Sequence, residues 1–336
     1  MRRLLLAGLV SIGCAHTTAA AALRSWALPG ATGEVTLDYL LFDRAKGRLW
    51  IPAANTGRVD VLDTHSDTLL DVGGFTVVER EGRRGKRLLG PSSAALGNGM
   101  VFIGNRGSSE VCTIDERSLR RHGCVQLDSP PDGLAFVGTT QELWVTTPKS
   151  QSLTILDVSK PESPVVKESI ALPGDPEGYA VDDEHGLFFT NLEDKDRALS
   201  IDVRTRKIVS DHPAGCGETG PRGVAIDVAR HLAFVACTSS VSVLDLEHDG
   251  SVLAKVSTGN GVDNIDYVPS LGLLLVPAGK DALLDELQVG EHGALTQKRR
   301  VPTVSGAKVV VADASGNAYL VDPRGAVVRV PFSEAR

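Results

Sequence analysis

Short apolar runs separated by polar turns recur along the chain with one grammar. LDYLLFDRAKGRLWIPAANTGRVDVLD from Leu37, PDGLAFVGTTQELWVTTPKSQSLTILD from Pro131 and PEGYAVDDEHGLFFTNLEDKDRALSID from Pro176 align without strain. PRGVAIDVARHLAFVACTSSVSVLD from Pro221 and VDNIDYVPSLGLLLVPAGKDALLDELQV from Val262 follow the same plan. Each copy opens on a short apolar run, then turns on Gly, Asp or Asn. A second run rich in β-branched and aromatic residues follows, and an alternating run ends near Asp. Runs that are apolar throughout suit strands buried on both faces, whereas alternation suits a half-exposed strand. Weaker copies start at Pro91 and Gly306, for seven in all, at a period of about 40 to 45 residues with one longer step after the first.

Each copy leaves room for a fourth, more variable strand. Four antiparallel strands at this period predict a β-propeller blade, so the fold class is all-β, a seven-bladed propeller with four-stranded antiparallel blades. The last copy runs out at Val330-Pro331-Phe332, too early for its fourth strand. The segment LRSWALPG, residues 23–30, is apolar enough to fill that place, so the ring is expected to be closed by an N-terminal strand, which removes an open sheet edge. The longer step is VVEREGRRGKRLLGPSS, residues 77–93, basic through Arg80, Arg83, Arg84, Lys86 and Arg87. It reads as a loop beside the channel mouth, as a lid, or as a docking site for an acidic partner.

The first residues, MRRLLLAGLVSIGC, pair a positive start with an apolar stretch too short to span a bilayer, as in an export signal. Residues 1–22 are read as leader and tether, and 23–336 as one propeller domain. Two processing routes stay open: lipidation at Cys14 after Gly13, and ordinary cleavage near Ala19 to Ala22. The expected location is extracytoplasmic, either periplasmic, anchored in the outer membrane as a lipoprotein, or secreted. Only a lipid anchor would tie it to a membrane. Removing Arg2 and Arg3 leaves 33 basic against 42 acidic side chains, a net charge of −9. That balance excludes a general nucleic-acid binder.

Four cysteines remain besides Cys14. An even number in an exported chain suggests disulfides. Three pairings are possible, and the repeat pattern favours Cys112 with Cys124 and Cys216 with Cys237. Their spacing does not resemble a zinc site.

The candidate chemistry lies just before each first strand, the strand that lines a propeller's channel. Those positions hold Asp38, Ser92, Asp132, Glu177, Arg222, Asp263 and either Ala307 or Lys308. Asn55, Asn105, Arg106, Lys149, Asn191, Glu193, Asp194 and Lys280 stand around them in loops after second strands. Carboxylates and carboxamides converging in this way form a hard oxygen-ligand set suited to Ca²⁺. They repel one another unless a cation compensates. Asp and Asn before strands also serve plain turns. None of the eight histidines falls in the ring, and no Gly-x-Ser-x-Gly elbow is present.

The repeat pattern, in copies such as GPRGVAIDVARHLAFVAC, resembles the YVTN/YncE-like seven-bladed propellers of bacterial envelopes over nearly all of the mature chain. That resemblance implies an exported propeller without an established reaction. VDNI at 262–265 resembles the Asp-Asn calcium segment of the paraoxonase lactonases, which are six-bladed. They and the SMP-30/gluconolactonases hold one Ca²⁺ at the channel. By that resemblance Glu177, Asp263 and Asn264 are candidate metal ligands, with Asn191 a fourth. The leading expectation is a non-catalytic monomer binding a small ligand or an envelope protein at the mouth, through Asp38, Asp132, Glu177, Asn191, Arg222, Asp263 and Asn264. The alternative is a Ca²⁺-dependent lactonase-like hydrolase.

Overall fold

Seven four-stranded antiparallel sheets account for almost every strand of the computed structural model, which describes residues 23–82, 85–248 and 250–333. The leader and Cys14 lie outside the described residues. Blade one holds Leu41–Asp43, Arg48–Ala53, Arg58–Asp63 and Thr68–Val72, and blades two to six repeat that order. Blade seven takes Val310–Ala312, Ala318–Asp322 and Ala326–Val330 from the C-terminus. Its outer strand is the N-terminal Arg24–Ala27, with Trp26 opposite Val327. The expected closure is thus present, and the ring is fastened by strand pairing between the two ends of the chain.

Second and third strands carry the core. Leu49, Ile51 and Leu62 of blade one pack against Tyr319, Val321 and Val327 of blade seven, and equivalent clusters fill the gaps between other neighbouring blades. Third strands, expected to be half exposed, are almost wholly buried, because the fourth strands cover them. The fourth strands are the exposed ones and leave apolar side chains such as Val165, Val209 and Val252 at the surface. Both favoured disulfides form. Cys112 and Cys124 sit directly across from each other on the third and fourth strands of blade two, with Cα atoms 4.0 Å apart. Cys216, in the loop entering blade five, joins Cys237 at the end of its second strand, with Cα atoms 5.2 Å apart. The two bonds are consistent with an oxidising, extracytoplasmic environment.

The long step between blades one and two is a two-stranded hairpin, Val78–Gly82 with Gly85–Leu89. Its base is held on the mouth face: Asn105 Nδ2 donates to Thr76 O at 3.1 Å and the Arg106 amide donates to Gly90 O at 2.9 Å. Arg80 faces Arg87 across the hairpin, and Lys86 pairs with Glu79 at 2.7 Å. Among the described residues, no ion pair joins the hairpin to TNLEDKDR at 190–197 on the same face.

Asp60, on the third strand of blade one, is fully buried and neither carboxylate oxygen has a hydrogen-bond partner. Burial, reinforced by Asp71 and eased by Arg58, lifts its pKa from 3.8 to about 7. The folded state therefore prefers the protonated acid. The contribution of Asp60 to stability should be greatest below pH 3.8, fall as pH rises towards about 7, and stay level above. Asp60→Asn removes that slope. Urea titrations should show the variant gaining on the parent by up to roughly 4 kcal/mol between pH 4 and pH 8, at about 1.36 kcal/mol for each tenfold change in proton concentration. Parallel pH profiles would refute the assignment.

Candidate functional site at the channel mouth

The first strands meet closely at the axis. A Cβ on Gly178 would lie 2.4 Å from Arg222 O, one on Gly223 2.8 Å from Asp263 O, and one on Gly133 2.0 Å from the Tyr179 ring. This close approach explains why Asp132, Glu177 and Arg222 are each followed by glycine. Main-chain bonds then stitch the blades together. The Gly223 amide donates to Asp263 O at 2.9 Å, the Asn264 amide to Lys308 O at 3.1 Å, and the Tyr39 amide to Ser92 O at 3.1 Å.

The ring-position side chains converge as the repeat alignment suggests, and Lys308 rather than Ala307 completes the set. Arg106, from the turn after the second strand of blade two, pairs with both Asp38 and Asp132. Lys308 pairs with Asp263 and lies 3.6 Å from Asp38. Burial alone would raise the Asp38 carboxyl, but Arg106 and Lys308 hold it down at about 2. The same carboxylates keep Lys308 charged against the cost of its burial. Arg222 turns outward to Glu193. Three of the four ring carboxylates are thereby ion-paired, sharing two cations from the chain itself.

Glu177 is the exception. Among the described residues it has no ion pair and no hydrogen bond. Burial first, then the nearby charges of Asp263 and Asp38, lift its pKa to about 7, against the pull of Arg106 and Arg222. At neutral pH it is a half-ionised acid facing a mouth of fixed charges.

Asn264 and Asn191 act as latches. Asn264 Nδ2 donates to Asp38 O at 3.0 Å, reaching from blade six to blade one, and Asn191 Nδ2 donates to Arg222 O at 2.7 Å. The Asn191 Oδ1 atom is buried without a partner. This arrangement does not fit Ca²⁺ as it stands. Asp263 is spent on Lys308, and Asn264 offers its nitrogen to a carbonyl. Among the described residues, the only tight group of potential metal ligands is Glu110 with Cys112 and Cys124, whose sulfurs are joined in a disulfide. Among the described residues no histidine lies at the mouth, and the rings of His185 and His231 meet 5.2 Å apart in turns on the opposite face.

Two residues that the ring alignment passes over finish the site. Tyr39 and Tyr179 lie one and two positions after Asp38 and Glu177, and their rings stand 5.4 Å apart across the axis. Tyr39 donates its hydroxyl to Asp132 Oδ2 at 3.3 Å, and burial raises both phenols, Tyr179 to about 12. The pair forms a floor beneath the charged ring.

Breaking the clamp tests its weight. Arg106→Met strands Asp38 and Asp132 without their cation, which should cost about 3–5 kcal/mol in urea unfolding. Adding Asp132→Asn should recover part of that. Because the Asp38 pKa is depressed, the stabilisation it supplies is present above pH 3.8 and is lost as pH falls towards about 2. The acid limb should shrink in Arg106→Met; an unchanged limb would show that the clamp is not what holds Asp38.

No family model and no curated protein sequence matches this chain. Among solved structures, it is similar to a chain of the mitotic checkpoint complex, with a TM-score of 0.74, 12% identity and 99% of each chain covered. It is also similar to the hydrazine synthase of Kuenenia stuttgartiensis, with a TM-score of 0.71, 14% identity, and 95% of this chain and 99% of that one covered. At such identities the likeness is one of fold.

Proposed function

We propose that this is an exported, non-catalytic, monomeric binding propeller whose mouth takes up the cationic group of a small ligand or of an envelope protein at Glu177. The observation that carries this reading is the uneven use of charge in the ring. Asp38, Asp132 and Asp263 are each paired with a cation of the chain, and Glu177 with none. A half-buried carboxylate crowded by other acids and left without a partner is disfavoured in its charged form, and an incoming ammonium or guanidinium supplies what the fold withholds. The hairpin beside Arg106, with Arg80 and Arg87 facing each other, gives the same face a basic rim for acidic groups of a protein partner. The leader and the resemblance of the repeats to YVTN/YncE-like propellers support export.

Thermal melting with a panel of small cations, namely choline, putrescine and arginine amide, tests the reading. A ligand that binds the folded state raises the melting temperature with concentration. The rise should be larger at pH 8 than at pH 5.5, because Glu177 ionises around pH 7, and should vanish in Glu177→Gln. No shift across the panel would overturn it. Ca²⁺ in the same assay separates the alternative. A rise reversed by EDTA and lost in Asp263→Ala would favour a metal-dependent hydrolase, with Lys308 displaced by the ion.

A further inference from the structure

Below the Tyr39–Tyr179 floor the channel changes character. A cavity of about 320 Å³ occupies its lower half on the side of blades four to seven and blade one. Its wall combines ring faces and aliphatic side chains, among them Leu40, Ala180, Ile226, Ile265 and Val311, with polar groups that include Asn264. Several of these, including Ala180, Ile226 and Val311, are only half buried although they lie on inner strands. The polar ends of the tyrosines point elsewhere. The Tyr39 hydroxyl goes to Asp132, the Tyr179 hydroxyl bonds to the backbone of Leu134, and the Tyr267 hydroxyl donates to Asp227 at 2.6 Å.

The cavity opens on the face opposite the charged ring, where Arg44 and exposed Pro269 stand in turns after first strands. Arg44 and Asp266 are the only charged residues lining it. They cancel each other: Arg44 Nη2 donates to Asp266 Oδ2 at 2.9 Å and to Tyr267 O at 3.3 Å, and Arg44 Nε donates to Ala312 O at 3.0 Å. The rim therefore selects no net charge. A space of this volume lies at the lower end of the range of ligand pockets, about 300–1,000 Å³. The recess is open to solvent and its lining mixes polar groups with apolar ones, so a ring-bearing molecule would gain by displacing water from the apolar part of the wall.

We infer that the lower channel is a second binding site, distinct from the mouth, for a neutral apolar molecule of one or two rings entering from the face opposite the charged ring. Charge excludes ions, because the one guanidinium at the rim is already matched. Shape excludes long chains, because the tyrosine pair closes the upper end. The site does not use Glu177, although Tyr39, Tyr179 and Asn264 border both recesses.

The test uses the whole mature protein and the neutral fluorophore N-phenyl-1-naphthylamine, with benzophenone as competitor and photolabel. The expected result is saturable one-to-one binding, displaced by benzophenone, and weakened roughly tenfold or more by either Ala180→Leu or Val311→Phe, each of which puts bulk into the cavity. Melting curves show whether each variant is folded. Benzophenone photolabelling of the unaltered protein, mapped by peptide mass, needs no variant at all. Label should fall within residues 179–180, 224–226, 264–269 or 309–311. Non-saturable binding, indifference of folded variants to the added bulk, or label confined to the outer strands or the hairpin would each overturn the proposal.

Discussion

At the axis of this propeller the inner strands approach until Gly133, Gly178 and Gly223 have no room for a Cβ. That crowding sets the electrostatics of everything above it. Side chains at the ring positions are pressed into a small space of low polarity, where four carboxylates cannot all remain charged unless cations join them. The fold supplies two such cations at the centre, from unlike places. Arg106 comes from the turn of a neighbouring blade, and Lys308 from the last blade to be added. Each spans two carboxylates, so the mouth is held together by charge as much as by the hydrogen bonds between inner strands.

Closure obeys the same logic at the two ends of the chain. The N-terminal strand pairs with the last strand of blade seven, and Arg44 reaches from blade one to carbonyls of blades six and seven. Lys308 and Asn264 make the corresponding reach at the mouth. Blades one, six and seven are thus tied on both faces. The covalent break lies inside blade seven, where the last C-terminal strand meets the N-terminal strand by strand pairing alone, so contacts on both sides of that blade reinforce the closure.

Much of this architecture was legible in the residue pattern. Strand periodicity and repeat length are local properties, so blade number, the closing strand and the two disulfides could be read from spacing alone. Ring positions followed, because each copy places them just before its first strand. The pairing of charges did not follow. Which carboxylate Arg106 would meet depends on the turn of one blade against the entrance of another, and such contacts have no fixed separation in sequence. The same holds for the Tyr39–Tyr179 floor, built from residues 140 positions apart. The pair Asp263-Asn264 looked like a metal segment from its residue types. Its geometry makes one residue an ion-pair partner of Lys308 and the other a latch to Asp38. The hairpin was visible only as a basic insertion. Its strands come from alternation too short and too charged to stand out.

A charged residue near a channel is weak grounds for function when the fold can account for its charge. Asp38, Asp132 and Asp263 are accounted for, and deleting any of them would disturb stability before it disturbed binding. The informative groups are those the fold leaves unserved. In the upper channel that is Glu177, a half-buried acid without a cation among the described residues. In the lower channel it is apolar surface that inner strands would ordinarily bury. The two differ in chemistry, open on opposite faces and are separated by a pair of tilted aromatic rings. On this reading the two recesses suit different molecules, a cationic group above and a neutral ring system below.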